Sequence, residues 1–159
     1  MPFLVRWPAA VTPGTRSDAL ALNVDFAPTF LEAAGVPVPL SMQGRSMMGL
    51  LHGESHEWRD AFLYEYLWER SFPQTPTILG VRTKQHKYIR YHGVWDFYEL
   101  YDMEKDPDET NNLLAGYIQT SEGGIQEAII RAKAPDDVKK IFDDMAKRLQ
   151  RLLDETGCL

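Results

Sequence analysis

The spacing of apolar residues changes period several times along the chain, and each change predicts an element. Phe3-Leu4-Val5, followed by Trp7, is a near-continuous apolar run of the kind found in strands buried on both faces. It predicts a strand over residues 1–7, closed by Pro8. Natural domains seldom open on their most buried strand, so the chain is expected to begin in mid-domain. Thr12-Pro13-Gly14-Thr15 is a turn signature. Phe26, Phe30, Leu31 and Ala34 then recur at helical spacing. Asp25 is the expected cap, Pro28 is tolerated in the first turn, and Gly35 stands where a helix stop belongs. Strand, turn and helix in that order suit an α/β unit. The segment Met47 to Leu51 reads as irregular core filler rather than metal ligation, since thioethers adapt to uneven packing.

From Ala61 the period shortens. Ala61 to Tyr66 alternates as a strand, and Leu67 to Thr77, interrupted by Pro73 and Pro76, is expected to be a long loop. Loops of that length in compact domains often carry function. Ile78 to Arg82, Tyr88 to Tyr91 and Phe97 to Tyr101 are short β-prone runs spaced for an antiparallel meander, with Gly93 turning between the last two. Asp106-Pro107-Asp108-Glu109 is expected to end the meander and start a short helix, its carboxylates complementing the helix dipole. Val138, Ile141, Phe142, Met145, Leu149, Leu152 and Leu153 predict a helix from Asp136 or Asp137 to about Glu155. Residues 116–134 give no clear pattern.

Composition narrows the function classes. The chain has 159 residues, 44% hydrophobic and 25% charged, with a formal net charge of −6. An acidic balance without a long like-charge block argues against a general nucleic-acid surface. No stretch has the apolar length of a membrane span, and none reads as the n-region, h-region and cleavage site of a signal peptide. The single cysteine, Cys158, is the penultimate residue and is expected to lie inert in a frayed tail.

The acidic stretch from Tyr98 to Leu113 fails as an EF-hand loop, because counting from Asp102 puts Pro107 at the glycine position and Leu113 at the bidentate Glu position. His52 and His56 are four apart, but Gly53 and the misplaced Glu54 favour a hydrated loop over a zinc helix. Ser71-Phe72-Pro73-Gln74-Thr75 carries Thr75 where the Ser/Cys-x-Pro-x-Arg motif requires Arg. There is no nucleophile elbow and no P-loop. Arg82, Lys87 and Arg90 form a basic run that reads either as an anion-facing surface or as a hairpin edge protected by its charges. Tyr64 to Phe72 and Tyr91 to Asp96 mix aromatic and polar residues, as a sugar-binding lining would, and packing explains the rings equally well.

Four stretches, in order, resemble the C-terminal portion of type I sulfatases: Pro2 to Pro8, Val24-Asp25-Phe26-Ala27-Pro28-Thr29-Phe30-Leu31-Glu32-Ala33-Ala34-Gly35, Gln43-Gly44-Arg45-Ser46, and Lys87-Tyr88-Ile89 with Glu99-Leu100-Tyr101-Asp102 and Asp106-Pro107-Asp108-Glu109…Asn112-Leu113. The region of Glu65 to Glu69 with Phe72 to Thr77 looks most like bacterial glycan sulfatases such as N-acetylglucosamine-6-sulfatase. The resemblance implies an α/β (α+β) fragment. Residues 1–58 would be the end of an alkaline-phosphatase-like α/β domain, and residues 59–159 a small antiparallel sheet subdomain with a C-terminal helix. It implies sulfate-ester hydrolysis on a carbohydrate by a longer parent, often periplasmic or secreted, that uses calcium and a formylglycine. The formylglycine motif and metal ligands of that family have no counterpart in this chain. It is therefore expected to be inactive alone, with no cofactor of its own and with the missing N-terminal catalytic part as partner. Trp68, Glu69, His92 and Trp95 are the expected substrate-facing residues. A non-catalytic glycan- or protein-binding module, or part of a related phosphodiesterase, is the alternative.

Overall fold

A computed structural model describes residues 3–54, 57–92, 97–118 and 126–157. The chain forms two compact units, one ending at Arg59 and one starting at Asp60.

The first unit holds a 3-10 turn at Asn23–Asp25, helix α1 at Phe26–Ala33 and the short helix α2 at Met48–Leu51. Helix α1 stops where expected. Gly35 takes φ +70°, its N–H donates to Glu32 O, and the Val36 N–H reaches back to Leu31 O at 2.8 Å. That pair of bonds is a Schellman closure, which needs a residue that adopts a left-handed conformation without strain. Three expectations fail here. Residues 3–7 form no strand, because no segment pairs with them among the described residues, and Leu4 is 92% exposed. The α1 stripe is not a buried face either: Phe30 is 70% exposed, while Pro28 and Thr29 are the buried residues of the helix. Asp25 makes no side-chain cap to α1; its carboxylate is used elsewhere, as described below.

The second unit is a four-stranded antiparallel sheet in the order β1 (Ala61–Tyr66), β2 (Thr77–Thr83), β3 (His86–His92), β4 (Phe97–Asp102), with α3 (Gln126–Lys133) and α4 (Asp136–Thr156). The meander is therefore as the alternation predicts. Along one face Ala61, Leu79, Val81, Tyr88, Tyr98 and Leu100 join a core with Leu114, Ile130, Phe142, Met145, Leu149 and Leu153. The α4 contributors recur every three or four residues, which is the stripe the sequence shows. Tyr88 meets the edge of Phe142 at 5.6 Å between ring centroids, an arrangement the ring quadrupoles favour.

The helix expected after Pro107 does not form. Asp106 instead accepts the Thr110 and Asn111 amides at 3.0 and 2.8 Å, and Glu109 sits at φ 55°. Short polar side chains that offer such bonds compete with helical pairing and win here. Asp102 works the same way one turn earlier, accepting the Glu104 and Lys105 amides. Asn112 then lies along the open edge of β4. Its Oδ1 accepts from the Leu100 and Leu114 amides, both at 3.0 Å, and its Nδ2 donates to Tyr98 O at 3.1 Å. One side-chain amide thus satisfies β4 as a neighbouring strand would and blunts the sheet edge. Helix α3 was not foreseen.

Candidate functional site

The first unit is held by polar contacts between segments distant in sequence. Asp25 is wholly buried, and its two oxygens accept both terminal nitrogens of Arg59 at 2.5 and 2.6 Å. The same carboxylate accepts the Leu22 amide at 2.8 Å and the Arg45 amide at 2.9 Å. Burial alone would raise its pKa, but the Arg59 guanidinium and these two amides outweigh that and hold the carboxyl below its ordinary value. Thr29 Oγ1 accepts the Met47 amide at 2.9 Å. A Cβ on Gly44 would stand 1.9 Å from Val24 O, so only glycine permits this approach. The Val24-to-Gly35 stretch is thus locked to the segment from Gln43 to Met47 by side-chain oxygens that accept backbone amides and by the close approach at Gly44.

An apolar cavity of about 450 Å³ lies beside this lock, lined by Phe3, Leu4, Val5, Phe26, Phe30 and Met47 among others. Phe3 and Phe26 stack at 5.0 Å.

In the second unit the described members of the expected substrate-facing set lie on the loop after β1 and at the end of β3. Trp68 opens the loop after β1; its amide donates to Thr77 Oγ1 at 3.0 Å and its indole Nε1 to Pro73 O at 3.3 Å. Thr77 pairs across the ladder with His92. The β2–β3 register therefore carries the base of the Trp68 loop and His92 to the same place. Trp68 and His92 are both exposed. Glu69 accepts the Phe72 amide on its carbonyl, closing a tight turn, and its carboxylate, after burial, helps raise the Tyr66 phenol. Trp95 lies outside the described residues. Thr77 was missed by sequence reasoning, since its part depends on register, which no local pattern reveals.

The basic run is committed internally. The Arg82 guanidinium donates to the carbonyls of Thr83 and Lys84 in the β2–β3 turn. Lys87 pairs with Glu109, and Arg90 approaches Glu127 at 4.0 Å. Arg82 and Lys87 sit on β2 and β3, the inner strands, so against expectation they guard no sheet edge, and their internal partners rather than an anion account for them. On the sheet face opposite the core, Glu99 lies beside two phenols: Tyr91 donates to it at 3.3 Å, and Tyr101 is pushed up to about 12 by burial and by that carboxylate.

No group of three or more His, Cys, Asp or Glu side chains converges among the described residues. No step is therefore assigned to a metal on the described residues.

The chain is of the class of sulfatase C-terminal domains. The family described as N-sulphoglucosamine sulphohydrolase, C-terminal, matches residues 1–134, and the chain belongs to it. It is 40% identical over 116 residues to N-acetylglucosamine-6-O-sulfatase of Bacteroides thetaiotaomicron, covering 71% of this chain and 21% of that protein. It is 30% identical over 169 residues to an ulvan-active sulfatase of Formosa agariphila, covering 87% and 34%. A solved structure in complex with its substrate D-glucosamine-2-N,6-O-disulfate superposes with a TM-score of 0.74 at 31% identity, covering 94% of this chain and 27% of that one. The chain thus spans about a fifth to a third of the length of these relatives.

Proposed function

We propose that this chain is the C-terminal part of an enzyme that hydrolyses a sulfate ester on a carbohydrate. The likeness over 94% of the chain to a structure holding a sulfated glucosamine carries the reading, and the 40% identity to an N-acetylglucosamine-6-O-sulfatase agrees with it. Calcium and the formylglycine nucleophile would come from the remaining length of the parent. When bound there, they would supply the cationic stabilisation and the attack on sulfur that such chemistry needs. The contribution of this chain is recognition. Trp68 offers an indole face on which a pyranose can stack, while Glu69 and His92 offer polar groups to sugar hydroxyls. Trp95 belongs to the same proposed set by sequence.

The exposed apolar residues of the first unit support the same reading. Phe30, Leu4 and Phe3 are of a type that folding normally buries, and a patch of this kind marks a surface that something covers. In this proposal the rest of the parent covers it.

The test is turnover of N-acetylglucosamine 6-sulfate and its unsulfated control by the full-length parent and by this chain alone. Release of sulfate by the parent only is expected. Failure of the parent on every sulfated sugar tried, or turnover by the chain alone, would overturn the assignment. In the parent, alanine at Trp68 or His92 is expected to lower kcat/KM chiefly through KM, and unchanged kinetics in both variants would remove these residues from the site.

A further inference from the structure

A second cavity, of about 210 Å³, opens between β3, α3 and α4 within the second unit. It lies on the core face of the sheet and shares no lining residue with the Trp68 loop. Its inner wall is Tyr88, whose residue is 1% exposed and whose hydroxyl is buried with no hydrogen-bond partner among the described residues. A buried hydroxyl left unpaired carries a desolvation penalty, so native proteins rarely keep one without a reason. The charges that act most on this phenol after burial include Glu127, Arg90 and Arg131, all of which line the same cavity.

The charge pattern around the opening says what would enter. Arg131 donates to Asp143 at 2.7 Å and to Glu127 at 3.2 Å, so its single positive charge is shared between two carboxylates. Arg90 reaches Glu127 only at 4.0 Å, and exposed Lys147 forms no ion pair among the described residues. Three cations against two carboxylates leave the lining net positive, and the Tyr88 O–H, Lys147 and the N–H groups of Arg90 that its long contact with Glu127 leaves over are donors. Donors facing a partly enclosed cavity suit an oxyanion, since charge-assisted hydrogen bonds are the strong ones. A neutral apolar guest would leave the Tyr88 hydroxyl unpaired and displace water from Lys147.

We infer that this cavity is an oxyanion subsite, which takes a sulfo group between the Tyr88 hydroxyl, Arg90 and Lys147. The sulfo group comes either from free sulfate or from a sulfated sugar, and the chemistry of capture is the same. The site is separate from the recognition surface around Trp68 and does not depend on the catalytic assignment.

The test is calorimetric titration of the 159-residue chain with sodium sulfate, glucosamine 6-sulfate and glucosamine, at constant ionic strength set with chloride. Saturable binding of sulfate, of glucosamine 6-sulfate, or of both is expected, with none for glucosamine. Sulfate binding assigns the free ion as a ligand, and binding of the sulfated sugar alone assigns the glycan. Tyr88→Phe, which removes only the unpaired hydroxyl, is expected to weaken binding by about tenfold while leaving Tm without ligand unchanged or higher. Lys147→Met, at an exposed position, is expected to weaken binding to a similar extent. Absence of saturable binding by either sulfated probe overturns the inference. So does binding that survives both substitutions, or a Tyr88→Phe chain that loses Tm while Lys147→Met binds normally, which would assign the hydroxyl to a structural water.

Discussion

Arg59 reaches Asp25 across 34 residues of sequence, closing both of its terminal nitrogens on the two carboxylate oxygens at 2.5 and 2.6 Å. Both side chains are nearly sealed from solvent, at 9% and 0% exposure. Removing one member of such a pair leaves the other buried and uncompensated, at a cost of about 3–5 kcal/mol. Arg59→Ala is therefore expected to lower the Tm of the first unit sharply, and Arg59→Lys to recover only part, because an ammonium cannot bridge both oxygens. The pH dependence has a definite sign. The folded-state pKa of Asp25 lies below its ordinary 3.8, so the pair contributes fully above that value and its contribution is lost as pH falls below it. Melts of wild type and Arg59→Ala between pH 7 and pH 2 should converge at the acid end. A gap that stays constant with pH would contradict this origin.

The side chain of Asn112 is the second structural device that invites a test, since it makes three hydrogen bonds to backbone groups and two of them belong to β4. Asn112→Ala strips all three from a half-buried edge, and an unsatisfied buried group costs about 1–3 kcal/mol. Asn112→Asp keeps the acceptor for the Leu100 and Leu114 amides but sets a carboxylate oxygen against Tyr98 O, so it should also destabilise. Denaturant unfolding measures the stability change, and exchange of the Leu100 amide proton reports the edge directly. A wild-type exchange rate in Asn112→Ala would show that the edge is protected by something else.

What the sequence revealed and what it concealed divide along physical lines. Strands β1 to β4 were legible because period-two alternation is local, and α4 because Phe142, Met145, Leu149 and Leu153 hold helical spacing over its length. The helix expected after Pro107 was misread because the same Asp and Asn residues that start helices also close turns, and only the bonds of Asp106 and Asn112 decide between the two. Helix α3 offers the adjacent Ile129 and Ile130 and little further apolar repeat, so its signal was weak. Asp25 looked like a cap since the residue type fits, and its true partner, Arg59, lies far down the chain. In the candidate site, Trp68 and His92 were readable as residue types. Their shared location was not, since it rests on Thr77 standing opposite His92.

Tyr101 and Glu99 give the sheet an alkaline limit. Burial and the Glu99 carboxylate raise the Tyr101 phenol from its ordinary 10.0 to about 12. The folded chain thus holds this proton more tightly than the unfolded one. The associated stability is present in full below pH 10 and is lost as pH rises toward 12. Glu99→Gln keeps the shape and removes the charge, so Tyr101 and Tyr91 should both titrate at lower pH, with the burial contribution remaining. Site-resolved carbon NMR of the tyrosine rings between pH 8 and pH 12.5 checks this. Unshifted titration of both rings in the variant would assign the effect to burial alone.

Thr77 ties the Trp68 loop to the sheet through a single bond from the Trp68 amide to its hydroxyl oxygen. Loops open locally at a free energy set by the few contacts that hold them, and one neutral hydrogen bond contributes about 0.5–1.5 kcal/mol. Thr77→Val keeps the β-branched shape that suits the strand and removes the acceptor. The Trp68 amide should then exchange several-fold faster while the interior of β2 keeps its protection, and Thr77→Ser should restore the slow rate. If recognition of the sugar depends on how Trp68 is presented, Thr77→Val in the full-length parent should raise KM with little change in kcat, because the indole itself is untouched. Faster exchange without a change in KM would confine Thr77 to a structural part, and Trp68 would then have to bind without help from the β2–β3 ladder.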